Sequence, residues 1–302
     1  MSISIAIPFF NAEKYLPDAI RSVFCQTFEN WELILVDDGS TDRSLEIALS
    51  VKDPRVTVIS DGQNKKLAAR LNQIVNISKY SLLARMDADD MMHPGRLTIQ
   101  HKILLENPEV DLTGSGLYSI NNDCDLIGIR GSFCNKITHF DLLRREKSIV
   151  HPSILVRKSW CLRNPYDESL FLAEDAELWL RSSDRNDLNV CIIAEPLHIY
   201  REEQSVTFKK LIKSGMLERM LRKRYSDLFL NQVKFYLRSY FKTLVVILLN
   251  FIGCLGFLHK RRNSTNLSNA QREKYFSIVK SIRSFPVSGL DDWVNKNSVS
   301  NN

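Results

Sequence analysis

Residues 32–42 read ELILVDDGSTD, and this stretch decides which fold we expect. Residues 33–36 form an uninterrupted apolar run, which is typical of a β-strand that is buried on both faces. Two carboxylates, Asp37 and Asp38, follow the run directly. Residues 82–94, LLARMDADDMMHP, repeat the arrangement, with a short apolar segment followed by three carboxylates within four positions. The pattern predicts a sheet in which buried strands end in clustered acidic side chains.

The segments around these two strands alternate between two periodicities. Strands are predicted for four short apolar segments, residues 3–7, 32–36, 56–60 and 82–86. Helices are predicted for three segments with apolar side chains at helical spacing, residues 11–26, 45–50 and 67–77. Alternating strands and helices indicate an α/β fold with a mostly parallel sheet flanked by helices. Ligands of such sheets bind beyond the carboxyl ends of the strands, where both acidic clusters fall.

The composition is that of an ordinary globular protein. Hydrophobic residues make up 44% and charged residues 25% of the 302 positions, and this length suits one large domain or two smaller ones. The six cysteines form no CxxC pair and no cluster with ligand spacing. We therefore expect neither a zinc site nor a disulfide framework, and a reducing environment fits best. Residues 1–10 lack the basic start and the long apolar stretch of a secretory signal.

Charge is distributed unevenly along the chain. Residues 209–262 contain thirteen Lys or Arg and two acids, a local charge of +11, whereas the whole chain carries +6. We therefore expect an acidic catalytic domain, residues 1–205, followed by a helical and basic region, residues 206–302, that ends in a polar tail.

An apolar run, residues 243–258, lies inside this basic region. Its sixteen residues are fewer than the about 20 that a membrane-spanning helix needs. Three interpretations stay open: a segment in the membrane interface, a membrane span, and a helix packed on a core or a partner. Basic residues on both sides of the run favour an anionic membrane surface over nucleic acid as the partner of this region.

The acidic clusters suggest two kinds of site. Asp87 and Asp89 have the spacing that lets two carboxylates hold one hard divalent cation, Mg²⁺ or Mn²⁺, although a solvated acidic loop has the same sequence. Asp38 either belongs to a turn that caps a helix or accepts hydrogen bonds from a nucleobase or ribose. The chain contains no GxGxxG and no GxxxxGK(S/T) motif, so a dinucleotide-binding fold and a P-loop enzyme are not supported.

Taken together, these stretches resemble the family 2 inverting glycosyltransferases, which have a GT-A fold. The resemblance covers residues 1–205, and its motifs follow the family's order: IPFFN (7–11), QTF (26–28), VDDGSTD (36–42), LAARLN (67–72), RMDADDMMHP (85–94), HPS (151–153), YDE (166–168) and AEDAELWLR (173–181). The joint occurrence of these motifs is far more specific than any single one.

The resemblance implies roles for residues on the donor side of such an enzyme. Asp38 would contact a uracil beside the backbone of Pro8, and Arg70 would lie near the base and the diphosphate. Asp87 would hold the ribose and, together with Asp89, the metal that bridges the two phosphates. These assignments imply a UDP-sugar as donor and Mn²⁺ or Mg²⁺ as cofactor.

The resemblance also implies roles on the acceptor side. Asp175 would be the catalytic base, with Glu174 and Trp179 close to the acceptor. The alternative explanation of the Glu-Asp pair is a helix start, where the helix dipole favours acidic residues. Arg201 would pair with the diphosphate. Family members often carry a His a few residues after the Tyr-Arg pair, whereas this chain has Gln204 there, and its role stays open.

The family members that the sequence resembles assemble bacterial surface polysaccharides and O-antigens. The implied reaction moves a hexose or N-acetylhexosamine from a UDP-sugar to a lipid-linked saccharide, an undecaprenyl-diphosphate glycan. The implied location is peripheral, on the cytoplasmic face of the plasma membrane. Two rivals remain. One is a sugar-phosphate nucleotidyltransferase, whose Gly-rich N-terminal loop is absent from residues 7–19. The other is a non-catalytic, membrane-bound assembly subunit.

Overall fold

The structure, a computed structural model, describes residues 1–170, 172–202, 208–225, 229–252 and 267–298. The strands in these ranges are β1 (Ile3–Phe9), β2 (Trp31–Asp37), β3 (Val56–Ser60), β4 (Leu82–Arg85), β5 (Met91–Met92), β6 (Leu112–Ile120), β7 (Leu126–Arg130), β8 (Leu155–Arg157) and β9 (Val190–Arg201). The helices are α1 (Leu16–Phe24), α2 (Ser44–Ser50), α3 (Lys66–Ile77), α4 (Arg96–Glu106), α5 (His139–Arg144), α6 (Lys158–Arg163), α7 (Glu174–Asp184), α8 (Phe208–Tyr225), α9 (Phe229–Phe251), α10 (Asn269–Arg283) and α11 (Leu290–Ser298), with a short 3₁₀ helix over His151–Ser153.

The N-terminal half of the sheet is parallel, as the alternation of strands and helices predicts. β1 lies between β2 and β4 and runs parallel to both, and β2 is parallel to β3. Every residue of β1 and β2 is buried, which explains their continuous apolar sequences. The first helix begins at Leu16 rather than at the expected residue 11, because Pro17 is tolerated only in a first helical turn.

Helices cover both faces of the sheet, so a hydrophobic core lies on each face and the fold has three layers, helices, sheet and helices. One hydrophobic cluster joins the sheet to α1, α2 and α4 through buried residues that include Ile20, Ile47 and Leu97. The second cluster joins the opposite face to α3, α6 and α7 through residues that include Leu71 and Trp160. This three-layer arrangement is the α/β architecture that the sequence predicts.

The second half of the sheet is mixed. The strand order is β3-β2-β1-β4-β8-β6-β9-β5, and β7 pairs with β6 outside this path. β8 is antiparallel to both β4 and β6, whereas β9 runs parallel to β6 and antiparallel to β5. β8 and β6 lie between β4 and β9 in the sheet. The end of β9 lies beside the acidic loop that follows β4, where the Arg201 amide donates to Asp90.

A crevice opens where β1 and β4 separate. β4 follows β1 only as far as the pair Ala6–Arg85, and the Met86 amide then donates to the Ala6 carbonyl at 3.1 Å. Pro8 lies two residues further along β1 and therefore directs its nitrogen toward the same side, where β4 has already ended. A proline without an amide hydrogen costs no ladder bond at this position. The crevice lies at the sheet edge where ligands of α/β sheets bind.

The C-terminal region is helical, as predicted, in the part that the structure describes. α8 and α9 pack against each other as a hairpin. The last two helices return to the N-terminal half: Leu290 is fully buried in the core cluster of α1 and α2, and Arg283 pairs with Asp18 at 2.8 Å. The boundary at residue 205 stays a prediction, and within the described residues 267–298 the two helices pack on the N-terminal half.

Within the described ranges, no helix is both long and apolar enough to cross a membrane. Residues 243–252 of the apolar run belong to α9 and the residue after it, whereas residues 253–258 lie outside the described residues.

Candidate active site

Three carboxylates come together in the loop after β4. The ligand oxygens of Asp87, Asp89 and Asp90 all lie within 4.8 Å of one another. Burial, together with the charges of Asp90 and Asp87, raises the pKa of Asp89 to about 8. A bound cation would relieve this repulsion, and carboxylate oxygens are the ligands that Mg²⁺ and Mn²⁺ prefer. The residues present therefore fit the divalent metal that the sequence predicts.

Both carboxylate oxygens of Asp90 are bonded to other residues of the protein. Its Oδ1 accepts a hydrogen bond from the Arg201 amide at 2.8 Å, and its Oδ2 lies 2.8 Å from His198 Nε2. Because Arg96 Nη1 donates to His198 Nδ1 at 3.2 Å, the imidazole proton lies on Nε2 and points at Asp90. Burial lowers the pKa of His198 well below its usual range, so this ring is neutral. Asp90 thus ties the loop to β9, which leaves Asp87 and Asp89 for a cation.

Arg201 holds the same loop from the end of β9. Its Nε donates to the Asp89 carbonyl at 3.0 Å, and its Nη1 donates to the Asn121 carbonyl at 2.6 Å. The guanidinium stacks over the ring of Tyr15 at 4.1 Å. These contacts position Asp89, and the predicted pairing of Arg201 with a diphosphate stays a prediction. Gln204 lies outside the described residues.

Asp38 caps the start of α3. Its carboxylate accepts hydrogen bonds from the backbone amides of Lys65 and Lys66, at 2.7 and 3.1 Å, and from Arg70 Nε at 2.9 Å. These bonds hold the Asp38 carboxylate against the start of α3, a different helix from the one that follows its own turn. The role in uracil binding stays a prediction and is compatible with these bonds, because among the described residues only the Lys66 amide donates to Asp38 Oδ2.

Arg70 is a buried clamp whose donors are all used. Its side chain is fully buried, and its terminal nitrogens bind both oxygens of Asp61, at 2.6 and 3.1 Å. Further bonds go to the Gln73 side chain and the Gln63 carbonyl. The Arg70 and Lys65 bonds hold the pKa of Asp61 well below its usual range. Arg70 thus orients Asp38 rather than offering a free donor to the diphosphate, which leaves its predicted diphosphate contact a prediction.

Glu174 and Asp175 open α7 after a constrained turn. Leu172 and Ala173 both have left-handed backbone, with φ of 70° and 79°, which non-glycine residues adopt at a cost. The Ala176 amide donates to Asp175 Oδ1 at 2.7 Å, which fixes the carboxylate. Burial raises the pKa of Asp175, while the Ala176 bond and the charge of Arg85 oppose that rise. Burial also raises the pKa of Glu174. Raised carboxyl pKa values are suited to proton acceptance near neutral pH.

An aromatic cluster supports this turn from behind. Trp179 stacks on Trp160 with ring centroids 5.9 Å apart, and His151 meets Trp179 edge to face. His151 Nε2 lies 2.7 Å from the Tyr166 hydroxyl. Trp179 is only 4% exposed, so it packs behind the acidic pair, and its predicted proximity to an acceptor stays a prediction.

Arg85 links the two acidic groups. Its Nη2 pairs with Asp87, and its charge also interacts with Asp90 and Glu174. The loop after β4 and the start of α7 therefore lie close together, although Asp90 and Asp175 are 85 positions apart in the sequence.

The sequence predicts no role for three residues that lie in the site: Asp61, Arg85 and His198. Asp61 follows β3 directly, so the rule that acids at strand ends form the site would have found it. Arg85 stands inside the acidic motif but is not an acid. His198 lies in a strand more than a hundred residues away from Asp90, and no local pattern indicates that contact.

The sequence profile of Glycosyl transferase family 2 matches residues 4–162, which include β1 from its second residue, β2 to β8 and the acidic loop. The chain belongs to this family. The part that holds Glu174 and Asp175 lies beyond the match, so the assignment of the base depends on the geometry of α7.

Relatives and solved structures agree with this membership. The chain is 30% identical over 223 residues to an uncharacterized glycosyltransferase, MJ1057, of Methanocaldococcus jannaschii, covering 71% of this chain and 76% of that protein. It is 28% identical over 254 residues to the O-antigen biosynthesis glycosyltransferase WbnJ of Escherichia coli, covering 80% and 97%. TarS of S. aureus, in a complex with UDP, superposes with a TM-score of 0.59 at 16% identity, covering 93% of this chain and 80% of that chain. The fold is therefore GT-A, and the protein is a glycosyltransferase.

Proposed function

We propose that this glycosyltransferase moves a hexose or N-acetylhexosamine, with inversion, from a UDP-sugar to a lipid-linked saccharide at the cytoplasmic face of the plasma membrane. The observation that carries the proposal is the meeting of two acidic groups, Asp87 with Asp89 and Glu174 with Asp175, around the buried charge of Arg85. One group suits a nucleoside diphosphate with its cation, and the other suits a hydroxyl that must lose a proton.

The reaction follows from these two groups. The acceptor hydroxyl oxygen attacks the anomeric carbon, the bond from that carbon to the diphosphate oxygen breaks, and UDP leaves with the bonding electrons. Asp175 takes the proton of the attacking hydroxyl, since a neutral hydroxyl is a poor nucleophile. One in-line attack inverts the anomeric configuration. Glu174 lies beside this base and orients the acceptor.

The leaving diphosphate gains negative charge as the sugar departs. Asp87 and Asp89 would hold the divalent cation, Mn²⁺ or Mg²⁺, which stabilises that charge when bound. Asp38 and Pro8 would line the uracil end of the crevice, with Arg70 fixing Asp38. Arg201 fixes the Asp89 backbone, and its second role would be at the diphosphate.

The identities of donor and acceptor are supported by named relatives. The glucosyltransferase WfgD of Escherichia coli is named for UDP-Glc and for a GlcNAc-diphosphoundecaprenol acceptor, and it is 29% identical over 203 residues, covering 67% of this chain and 78% of that protein. TarS has been solved with UDP and with UDP-GlcNAc. A UDP-sugar and an undecaprenyl-diphosphate saccharide are therefore the substrates we propose.

Membrane association is proposed through one face of α9. Apolar side chains recur there at helical spacing and are exposed: Leu237, Phe241, Leu244, Leu248 and Phe251. The α9 sequence contains three basic residues and no acidic one, and α8 adds seven basic residues and one acid. An apolar face with basic residues on the same hairpin fits an interfacial helix on an anionic bilayer.

The first experiment tests the reaction. The purified full chain is incubated with a panel of UDP-sugars and Mn²⁺, with and without an undecaprenyl-diphosphate saccharide, and released UDP is measured. We expect one donor to release UDP in a metal-dependent way and faster with acceptor. If none of the donors releases UDP and the chain binds partner proteins, the result would favour a non-catalytic assembly subunit.

The second experiment tests the membrane face without requiring activity. The triple variant Phe241→Ser, Leu244→Ser, Leu248→Ser is compared with the wild type in flotation with vesicles of phosphatidylglycerol and phosphatidylethanolamine. We expect the wild type to float and the variant to stay behind. Leu49→Ser and Leu105→Ser, which remove exposed leucines outside the hairpin, are the matched controls and should float. Equal flotation of the triple variant would contradict the proposed face, and loss of self-association instead would identify a second copy of the chain as its partner.

A further inference from the structure

Arg85 is a buried cation with incomplete hydrogen bonding. Its side chain is 4% exposed and pairs with Asp87 through Nη2. Its Nε and Nη1 atoms are buried and have no hydrogen-bond partner among the residues that the structure describes. A buried guanidinium with unfilled donors costs stability, and such costs persist in folded proteins mainly where a function requires them.

Arg96 shows how this protein satisfies a buried arginine that serves the fold. Its Nε donates to Gln100 at 3.0 Å and its Nη1 to His198 at 3.2 Å. Its Nη2 donates to two backbone carbonyls, those of Arg85 and Ile154, at 2.9 and 3.0 Å. Each nitrogen has an acceptor, and the bonds join four separate parts of the chain. Arg85 lacks this pattern although it is almost equally buried.

The backbone of Arg85 is held by hydrogen bonds, whereas its side chain interacts with the acidic residues of the site. The Arg85 amide donates to the Ile154 carbonyl at 3.1 Å, and the Arg85 carbonyl accepts from Arg96. The guanidinium interacts with Asp87, Asp90 and Glu174, which belong to the two acidic groups of the site. A fixed positive charge at this point reduces the repulsion among these carboxylates.

We propose that Arg85 is a positioning residue of the donor site: it holds the Asp87 carboxylate in the orientation that binds the donor and its cation, and it balances the acidic groups on both sides of the cleft. The inference rests on the proposed function, since it takes Asp87 to be a ligand of the donor. It adds a residue whose contribution is made through Asp87 rather than by touching the reacting atoms.

The experiment compares Arg85→Met and Arg85→Lys with the wild type, and uses Arg96→Met as a matched buried-arginine control. UDP binding in the presence of Mn²⁺ is measured by calorimetry, and thermal stability by melting. For Arg85→Met we expect UDP affinity to fall about tenfold or more, because Asp87 loses its fixed partner. Its melting temperature should fall less than that of Arg96→Met, because the Asp87 side chain is 31% exposed and water can solvate the carboxylate that loses its partner. Arg85→Lys should recover part of the affinity, since it restores the charge without the planar geometry.

Arg96→Met should lower the melting temperature more, because it leaves several buried acceptors unpaired. If Arg85→Met lowers the melting temperature as much as Arg96→Met does, Arg85 belongs to the fold and the proposal is wrong. If it binds UDP and Mn²⁺ as tightly as the wild type, or more tightly, Arg85 merely occupies the acidic site and the proposal is again wrong. A wild-type chain that binds no UDP at all would contradict the proposed function itself, which separates the two failures.

Discussion

Asp175→Asn is the substitution that tests the proposed chemistry most directly. The Ala176 amide donates to Asp175 Oδ1 at 2.7 Å, and the amide oxygen of asparagine can accept the same bond. The shape of the side chain is retained, and the capacity to take a proton is lost. A positioned general base is typically worth about 10²–10⁴ in rate, which corresponds to about 3–5 kcal/mol of barrier. We expect transfer at saturating acceptor to fall by that factor.

Stability gives an independent prediction for the same variant. Burial raises the pKa of Asp175 in the folded chain above its unfolded value, so ionisation at neutral pH disfavours the folded state. The penalty is absent at pH values below both pKa values and is complete above the folded one. Asparagine carries no charge, and the melting temperature of Asp175→Asn at neutral pH should therefore equal or exceed that of the wild type.

The assays are transfer rate at saturating acceptor, UDP binding by calorimetry with Mn²⁺ present, and thermal melting. Glu174→Gln is the matched control, because it neutralises the adjacent acid on the same helix turn. If Asp175→Asn folds, binds UDP and transfers within about threefold of the wild type, Asp175 is not the base. A large loss of rate in Glu174→Gln alone would then transfer the role to Glu174.

Three further outcomes follow from the site. Asp89→Ala should abolish transfer and weaken Mn²⁺ binding, measured by calorimetry, because the cation would lose a ligand; wild-type activity at limiting Mn²⁺ would contradict the metal assignment. Arg70→Met should lower the free energy of unfolding by about 3–5 kcal/mol in denaturant titration, because Asp38 and Asp61 lose a buried partner; a loss below about 1 kcal/mol would contradict the clamp. The transfer rate should fall as pH falls through the raised pKa of Asp175, so the acidic limb of the pH profile should lie above the ordinary aspartate value of about 3.9 and should disappear in a variant that lacks the base.

The sequence predicts well the features that depend only on residues close together in the chain. β3 matches its predicted bounds, and β1, β2 and β4 differ from theirs by at most two residues at either end. β1, β2 and β4 are buried throughout, and a strand buried on both faces has a mostly apolar sequence that is easily recognised. The acids of the site follow two of these strands, so their edge of the sheet could be predicted from the parallel arrangement. Asp38, Asp87 and Asp89 are predicted as site residues in this way.

The features that the sequence does not predict depend on contacts between distant segments. β8 has three residues, too few for any periodicity, yet it connects the two halves of the sheet. The pairing of His198 with Asp90 joins residues more than a hundred positions apart. The hydrogen bonds from Arg70 to Asp61 depend on the position of the end of β3. A motif can predict that Arg70 belongs to the site, but it cannot predict whether the side chain has a free donor. A truncation after residue 240 is unsuited to testing membrane association, because it would also remove Leu290 from the core.

Helix α7 connects the proposed base to the hairpin that we propose to bind the membrane. The helix begins with Glu174 and Asp175, and its buried Glu177 accepts the Tyr225 hydroxyl of α8 at 2.6 Å and Arg181 Nε at 2.9 Å. Because the carboxylate of Glu177 is buried and used by both partners, the hairpin of α8 and α9 is joined to the helix that carries the proposed base. A bilayer bound to α9 would then lie at a fixed distance from Asp175. The acceptor diphosphate could stay at the membrane surface while its terminal sugar reaches the crevice, so the position of the hairpin would select acceptors by length as well as by chemistry.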